Sequence, residues 1–203
     1  MTLIDRAKNI IITPVKEWNV IALETPDIAK ILTGYVLPLA AASAAASFIG
    51  YGFIGVNYFG IRVAGVNWGL YYAITILVTA FVSVFISAFV IDALAPSFGS
   101  EKNLPRSVQL VAYSFTPTWV GGLLSIFPPI AFLGAIFAIY GLYLLYLGMP
   151  KLKNTPSDKS VGYFVVSLIV IIVVYYVIGL ILTRVMMSSM GLSYGAPTFN
   201  LNY

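Results

Sequence analysis

Four long stretches of this chain, residues 31–61, 63–91, 107–150 and 160–183, contain no charged side chain. Each is long enough to supply the ~20 apolar residues with which a helix crosses the ~30 Å hydrocarbon core of a bilayer, and the third can supply two crossings. A soluble domain carries about a quarter of its residues as charges; here the fraction is 9%, against 60% hydrophobic and 15% aromatic. The chain reads as an all-α membrane protein.

Five spans account for the apolar stretches: Ile31 to Ile54, Asn67 to Val90, Ser107 to Phe127, Ile130 to Met149 and Val161 to Thr183. Pro128-Pro129 forces the turn between the third and fourth, since neither residue donates to a helix and Pro129 drives Pro128 out of helical geometry. Before the first span, Asp5, Arg6, Lys8, Lys16, Glu17, Glu24, Asp27 and Lys30 interrupt every apolar run, which excludes a signal peptide. Leu3, Ile4, Ala7, Ile10 and Ile11 recur at helical spacing, and after Thr13-Pro14 so do Trp18, Ile21 and Ala22. The spacing predicts two short amphipathic helices lying in the interface. Thr25-Pro26-Asp27 predicts the start of the first span, with Thr25 as cap. The expected organisation is a cytoplasmic amphipathic segment over 1–30, a five-span domain over 31–184 and an extracytoplasmic tail over 185–203.

Basic residues orient this arrangement. Arg6, Lys8, Lys16, Lys30, Lys102, Arg106, Lys151, Lys153 and Lys159 fall on one side and Arg62 and Arg184 on the other, so nine of the eleven place the N-terminus in the cytoplasm. The net charge of +4 suits an anionic lipid surface, and no basic-aromatic patch offers a nucleic acid a site.

Chemistry is bounded by what is missing. With no Cys and no His, disulfides, zinc sites, haem by its usual ligands, Cys proteases and Ser-His-Asp hydrolases are excluded. No span holds a Lys, Asp92 is the one carboxylate in a long apolar segment, and nucleotide and metalloprotease fingerprints are absent. The expectation is a protein that is not an enzyme and has no cofactor or metal.

Three constellations remain. Tyr71, Thr75, Thr79, Ser83 and Ser87 repeat every four residues and drift by only about 40° per step, a stripe that faces protein or water. Pro117 frees the Tyr113 carbonyl within the third span, with Ser114 and Thr116 at hand to bond it. Together these residues outline a polar path for a small solute or cation; the competing reading is hydroxyls bonded to their own helices and a static kink. Asp92, at the end of a helix extending roughly 39 Å against a ~30 Å hydrocarbon core, reaches the cytoplasmic interface and is expected to pair with Lys102 or Arg106. Gly134, Gly141 and Gly148 line one face of the fourth span and permit close helix contact, within the fold or in a homo-oligomer. The loop 152–159 predicts a capped helix start, with Thr155 as the cap and Pro156 and Asp158 in the first turn.

The segments LIDRAKNIIITPVKEWNVIALE (3–24), ALAPSFGSEKN (93–103), VAYSFTPTWVGGLLSIFP (111–128) and IYGLYLLYLGMPKLKNTPSDKSVGYFV (139–165) resemble the prokaryotic branch of the Yip domain family. That resemblance implies five spans and a cytoplasmic N-terminus. Eukaryotic members interact with Rab-type GTPases in vesicle traffic and carry an acidic-aromatic DLYGP run. This chain has only Ala95-Pro96 in the comparable loop, so Rab-type GTPase binding is not expected. The functional expectation is a membrane-organising or scaffold protein whose partners are lipids; the alternative is a channel or transporter using the second-span stripe.

Overall fold

Thr2 and Asp5 begin the first helix with a reciprocal cap. The Asp5 backbone N–H donates to the Thr2 hydroxyl at 3.1 Å, and that hydroxyl donates to the Asp5 carboxylate at 2.6 Å. The Thr2 hydroxyl, joined by the Thr2 backbone N–H at 3.3 Å, holds the Asp5 carboxylate below its usual range. The computed structural model describes residues 1–58 and 61–189. Helix α1 (Leu3–Ile12) is followed after one residue by α2 (Pro14–Ala22), whose first position is proline.

These two helices do not lie apart as two surface elements. They pack on each other and on the bundle as a hairpin. Near its open end the Ile21 carbonyl accepts from Arg106 at 3.3 Å, and Trp18 sits beside Gly148. Toward its turn, Tyr140 donates to the Ile11 carbonyl at 2.7 Å. Tyr140 is about 12 Å farther along its helix than Gly148, so the hairpin runs lengthwise beside the bundle. Ile10, Trp18 and Ile21 are fully buried by it, while Ile4, Ile12, Val15 and Leu23 remain exposed.

The first span is built from α3 (Ile28–Ile31), a π-helical turn (Leu32–Val36), α4 (Leu37–Ile49) and a second π turn (Gly50–Ile54). Its cap is Asp27, which accepts from the Lys30 N–H at 3.1 Å; the expected Thr25 start is two residues early. Pro38 cannot donate to Gly34, and the wider turn just before it, closed by the Leu37 N–H on the Leu32 carbonyl, absorbs the mismatch. A short hairpin, β1 (Val56–Tyr58) with β2 (Ile61–Val63), leads to α5 (Val66–Leu94), extended by a 3₁₀ turn to Phe98. Arg62 on β2 donates to the carbonyls of Ile54 at 3.0 Å and Phe53 at 2.8 Å, where the preceding helix has run out of N–H partners.

The region of the expected third span, Ser107 to Phe127, is covered by α6 (Leu104–Ser114), α7 (Thr116–Gly122) and a 3₁₀ turn (Leu123–Ile126). Ser107 through Ser114 are buried without a break, packed against α5, α8 (Gly134–Leu152) and the N-terminal hairpin. This buried central rod tolerates Gln109 and three hydroxyl residues because protein surrounds it. Long helix α9 (Ser160–Ser189) packs on α5 and α8. Among the described residues four helical segments are long and apolar enough to cross a membrane: Ile28–Ile54, Val66–Phe98, Pro128–Leu152 and Ser160–Val177. The helical residues 185–189 continue α9, and the rest of the expected tail, 190–203, lies outside the described residues.

Gly134, Gly141 and Gly148 do share a face, and α6 and α7 of the same chain fill it. A methyl on Gly141 would stand 2.9 Å from the Ser114 carbonyl oxygen, and one on Gly148 would stand 2.5 Å from Leu110 and 2.7 Å from Trp18. A methyl on Gly134 would meet the Gly121 carbonyl oxygen more loosely, at 3.5 Å. The close approach these residues allow is spent inside the fold, so this face is not free for a second copy.

Candidate functional site

Two buried ion networks lie at the same end of the bundle. In the first, Asp92 near the end of α5 is bonded to Lys153 at the end of α8, 2.8 Å away. Lys153 is fully buried and spends its remaining donors on the Ser107 hydroxyl at 2.8 Å and the Asn103 carbonyl at 3.2 Å. Asp92 also accepts from the Asn103 N–H at 2.7 Å and the Ser107 hydroxyl at 3.1 Å. Asn103 is the cap of α6, its side chain accepting from the Arg106 N–H. One carboxylate and one ammonium thereby join the ends of three helices. Burial pushes the Lys153 ammonium below the ordinary lysine range, and the bond to Asp92 opposes that shift.

The expected partners of Asp92 were the nearer cations. Lys102 is exposed instead, and Arg106 turns to the Ile21 carbonyl and to Gln109 at 3.0 Å. A cation already at the bundle surface has no reason to be dragged inward, whereas Lys153 is carried in by the last turn of α8.

The two loops beside this pair are laced together. The Glu101 N–H donates to the Lys153 carbonyl, Ser100 donates to Thr155 at 2.9 Å, and Asn154 donates to Glu101 at 2.8 Å. Thr155 is therefore a loop bridge and not a helix cap, and α9 starts at Ser160. Phe98 stacks on Tyr163, whose hydroxyl donates to the Ile91 carbonyl. Gly99 takes the left-handed backbone, φ 66°, that lets this loop close against Pro156.

The second network centres on Arg6, which is 6% exposed. Its guanidinium donates to Glu17 at 2.5 Å and to Glu24, and lies over the Tyr113 ring at 5.3 Å. The triad locks α1, α2 and the following linker onto α6. Tyr35 meets Tyr113 edge-on and shares a 2.7 Å hydrogen bond with Thr116. Thr116 also donates to the Tyr113 carbonyl at 2.7 Å, which satisfies the backbone group disturbed by Pro117. Sequence reading missed Arg6, Glu17 and Lys153 as buried groups; the residue pattern marked them as surface charges.

A family model for the Yip1 domain matches residues 8–181. The chain belongs to the Yip1 domain family. Among curated proteins, Inner membrane protein YohC of Escherichia coli K12 is 28% identical over 155 residues, covering 74% of this chain and 80% of the relative. The same protein of Escherichia coli O6:H1 matches equally. No solved structure matches.

The segments singled out in the sequence meet in these two networks: residues 3–24 supply Arg6 and Glu17, 93–103 and 139–165 supply the laced loops, and 111–128 supplies Tyr113 and Thr116. The second-span stripe goes elsewhere. Tyr71, Thr75 and Thr79 are exposed on α5, Ser83 is half-buried, and Ser87 is buried on the side facing Tyr175 of α9. Thr79 donates to the Thr75 carbonyl at 2.7 Å and Ser83 to the Ala80 carbonyl at 3.0 Å. Thr79 and Ser83 share a cavity with Phe115 and Trp119, but the polar groups of the kink turn elsewhere: Tyr113 and Thr116 face Arg6 and Tyr35, while Ser114 is buried beside Gly141. Among the described residues no cluster of carboxylates could hold a metal ion.

Proposed function

We propose that this integral membrane protein of the Yip1 domain family organises the bilayer around it, without catalysis, by occupying the cytoplasmic leaflet more than the opposite one. In this reading the chain crosses the cell inner membrane five times with its N-terminus in the cytoplasm and its C-terminus outside. Residues 104–126 make the buried third crossing. The nine-to-two distribution of basic residues supports the orientation, as does the siting of Arg62 at the opposite end of the first span from Arg6.

The observation that carries the proposal is the α1–α2 hairpin packed lengthwise on one half of the bundle. From Ile21 back to Pro14 the hairpin descends about 10 Å, most of the ~15 Å depth of one leaflet. Its outward face is apolar at Ile4, Ile12, Val15 and Leu23, as lipid requires. Lys8 and Lys16, exposed on the same helices, lie within snorkelling reach of the headgroups. Two added helices in one leaflet make the protein a wedge, and a wedge bends lipid or collects where lipid is bent. The conduit reading is opposed by Thr79 and Ser83 in the middle of the stripe, whose hydroxyls bond to carbonyls of their own helix.

Reconstitution into vesicles tests this. The wild type is expected to tubulate them or to partition into small-radius vesicles, and replacing exposed Ile12 and Val15 with Asp is expected to remove that behaviour while the bundle stays folded. Equal behaviour of both proteins would defeat the wedge. Flux of cations or small neutral solutes abolished by Thr79→Val with Ser83→Ala would establish the conduit instead.

A further inference from the structure

Between α5 and α8, at the middle of the bundle, a cavity of about 500 Å³ opens sideways. Ser43 of α4, Thr79 and Ser83 of α5, Trp119 of α7, and Ala138 and Leu142 of α8 line it. Each of these lies near the middle of its own helical segment, so the cavity sits at mid-bilayer depth.

All but one of its hydroxyls are already used. Ser43 donates to the Leu39 carbonyl at 3.2 Å and the Trp119 carbonyl at 2.5 Å, and Thr79 and Ser83 bond within α5. Thr118 is the one lining hydroxyl with no partner among the described residues. A buried water needs two to four polar partners, so this space does not hold a water column. Its mouth is continuous with the lipid-facing surfaces of α5 and α8, where Val78 is 55% and Ile139 68% exposed. A second copy does not suit it: a helix ~10–12 Å wide would fill the volume with about one turn.

We propose that the cavity is a lateral binding site for a lipid acyl chain, which enters from the bilayer between α5 and α8 and lies against Trp119. The wedge reading does not depend on it, since the two concern opposite faces and different assays.

Trp119 is its own reporter. A variant with Trp18→Phe and Trp68→Phe retains Trp119 alone and is reconstituted in phosphatidylcholine brominated at mid-chain. Although Trp119 is 6% exposed, most of its emission is expected to be lost, and Ala138→Phe, which fills the mouth from an exposed position, is expected to restore it. The wild-type protein provides a second readout in which no tryptophan is changed: a phospholipid carrying a mid-chain diazirine should crosslink to Trp119, and Ala138→Phe should abolish that crosslink. Emission and crosslinking indifferent to the brominated lipid and to Ala138→Phe would overturn the proposal. So would quenching by aqueous iodide, which means water, or lipid quenching that disappears as protein density rises, which means a second copy.

Discussion

Replacing Lys153 with Met should cost about 3–5 kcal/mol of stability, because a buried carboxylate loses its counter-charge and cannot reach water. Asp92 is 5% exposed, and after the substitution it keeps only the Asn103 N–H and the Ser107 hydroxyl. The ends of α5, α6 and α8 would then be joined by an uncompensated charge. Unfolding by sodium dodecyl sulfate in mixed micelles reads the loss. Asp92→Asn combined with Lys153→Met should recover most of it, since the amide still accepts from both donors and no charge remains buried. A double variant as unstable as the single would mean that Lys153 matters for its packing and not for its charge.

Arg6→Met should have an effect of similar size, about 3–5 kcal/mol, but a local one. Glu17 is 4% exposed and would be left buried without a cation, while Glu24 would be released to water. The hairpin should then detach from α6 while the helices from Ile28 onward stay folded. Hydrogen exchange measured by peptide would show protection falling over residues 3–24 and unchanged over α5 and α8. Arg6→Lys should rescue only part of the loss, because a single ammonium lacks the planar fork with which Arg6 holds two carboxylates at once. Protection lost evenly along the chain would contradict the separation between hairpin and bundle.

The four long apolar helices, the Pro128-Pro129 break and the proline kink with a hydroxyl one residue before it were legible because they depend on local properties of the chain. Thr116 on the Tyr113 carbonyl follows from helix geometry alone. Lys153 did not, since it meets Asp92 across 61 positions of chain and the nearer loop offered two other cations. Periodicity names the face a residue occupies and leaves open what covers that face. The glycines of α8 announced a close approach without saying that Leu110, Trp18 and Ser114 make it. The same gap concealed the N-terminal hairpin. An apolar stripe beside charged residues reads as a helix on a lipid surface, and only the pairing of Arg6 with Glu17 and Glu24 lets those charges be buried beside Ile10, Trp18 and Ile21 while Ile4, Ile12 and Val15 stay exposed. Thr155 misled for a related reason, as its hydroxyl was drawn to Ser100 of another loop before it could cap α9.

The wedge stands or falls on where the turn of the α1–α2 hairpin lies in the bilayer. The chain contains no cysteine, so single cysteines at Ile12, Val15 and Thr25 can each carry a spin label in reconstituted protein. Accessibility to oxygen against a water-soluble nickel complex gives the depth of each label. Labels at positions 12 and 15 are expected in the hydrocarbon of the cytoplasmic leaflet, with the label at 25 in water. Nickel access at 12 and 15 equal to that at 25 would put the hairpin on the membrane surface and contradict the account.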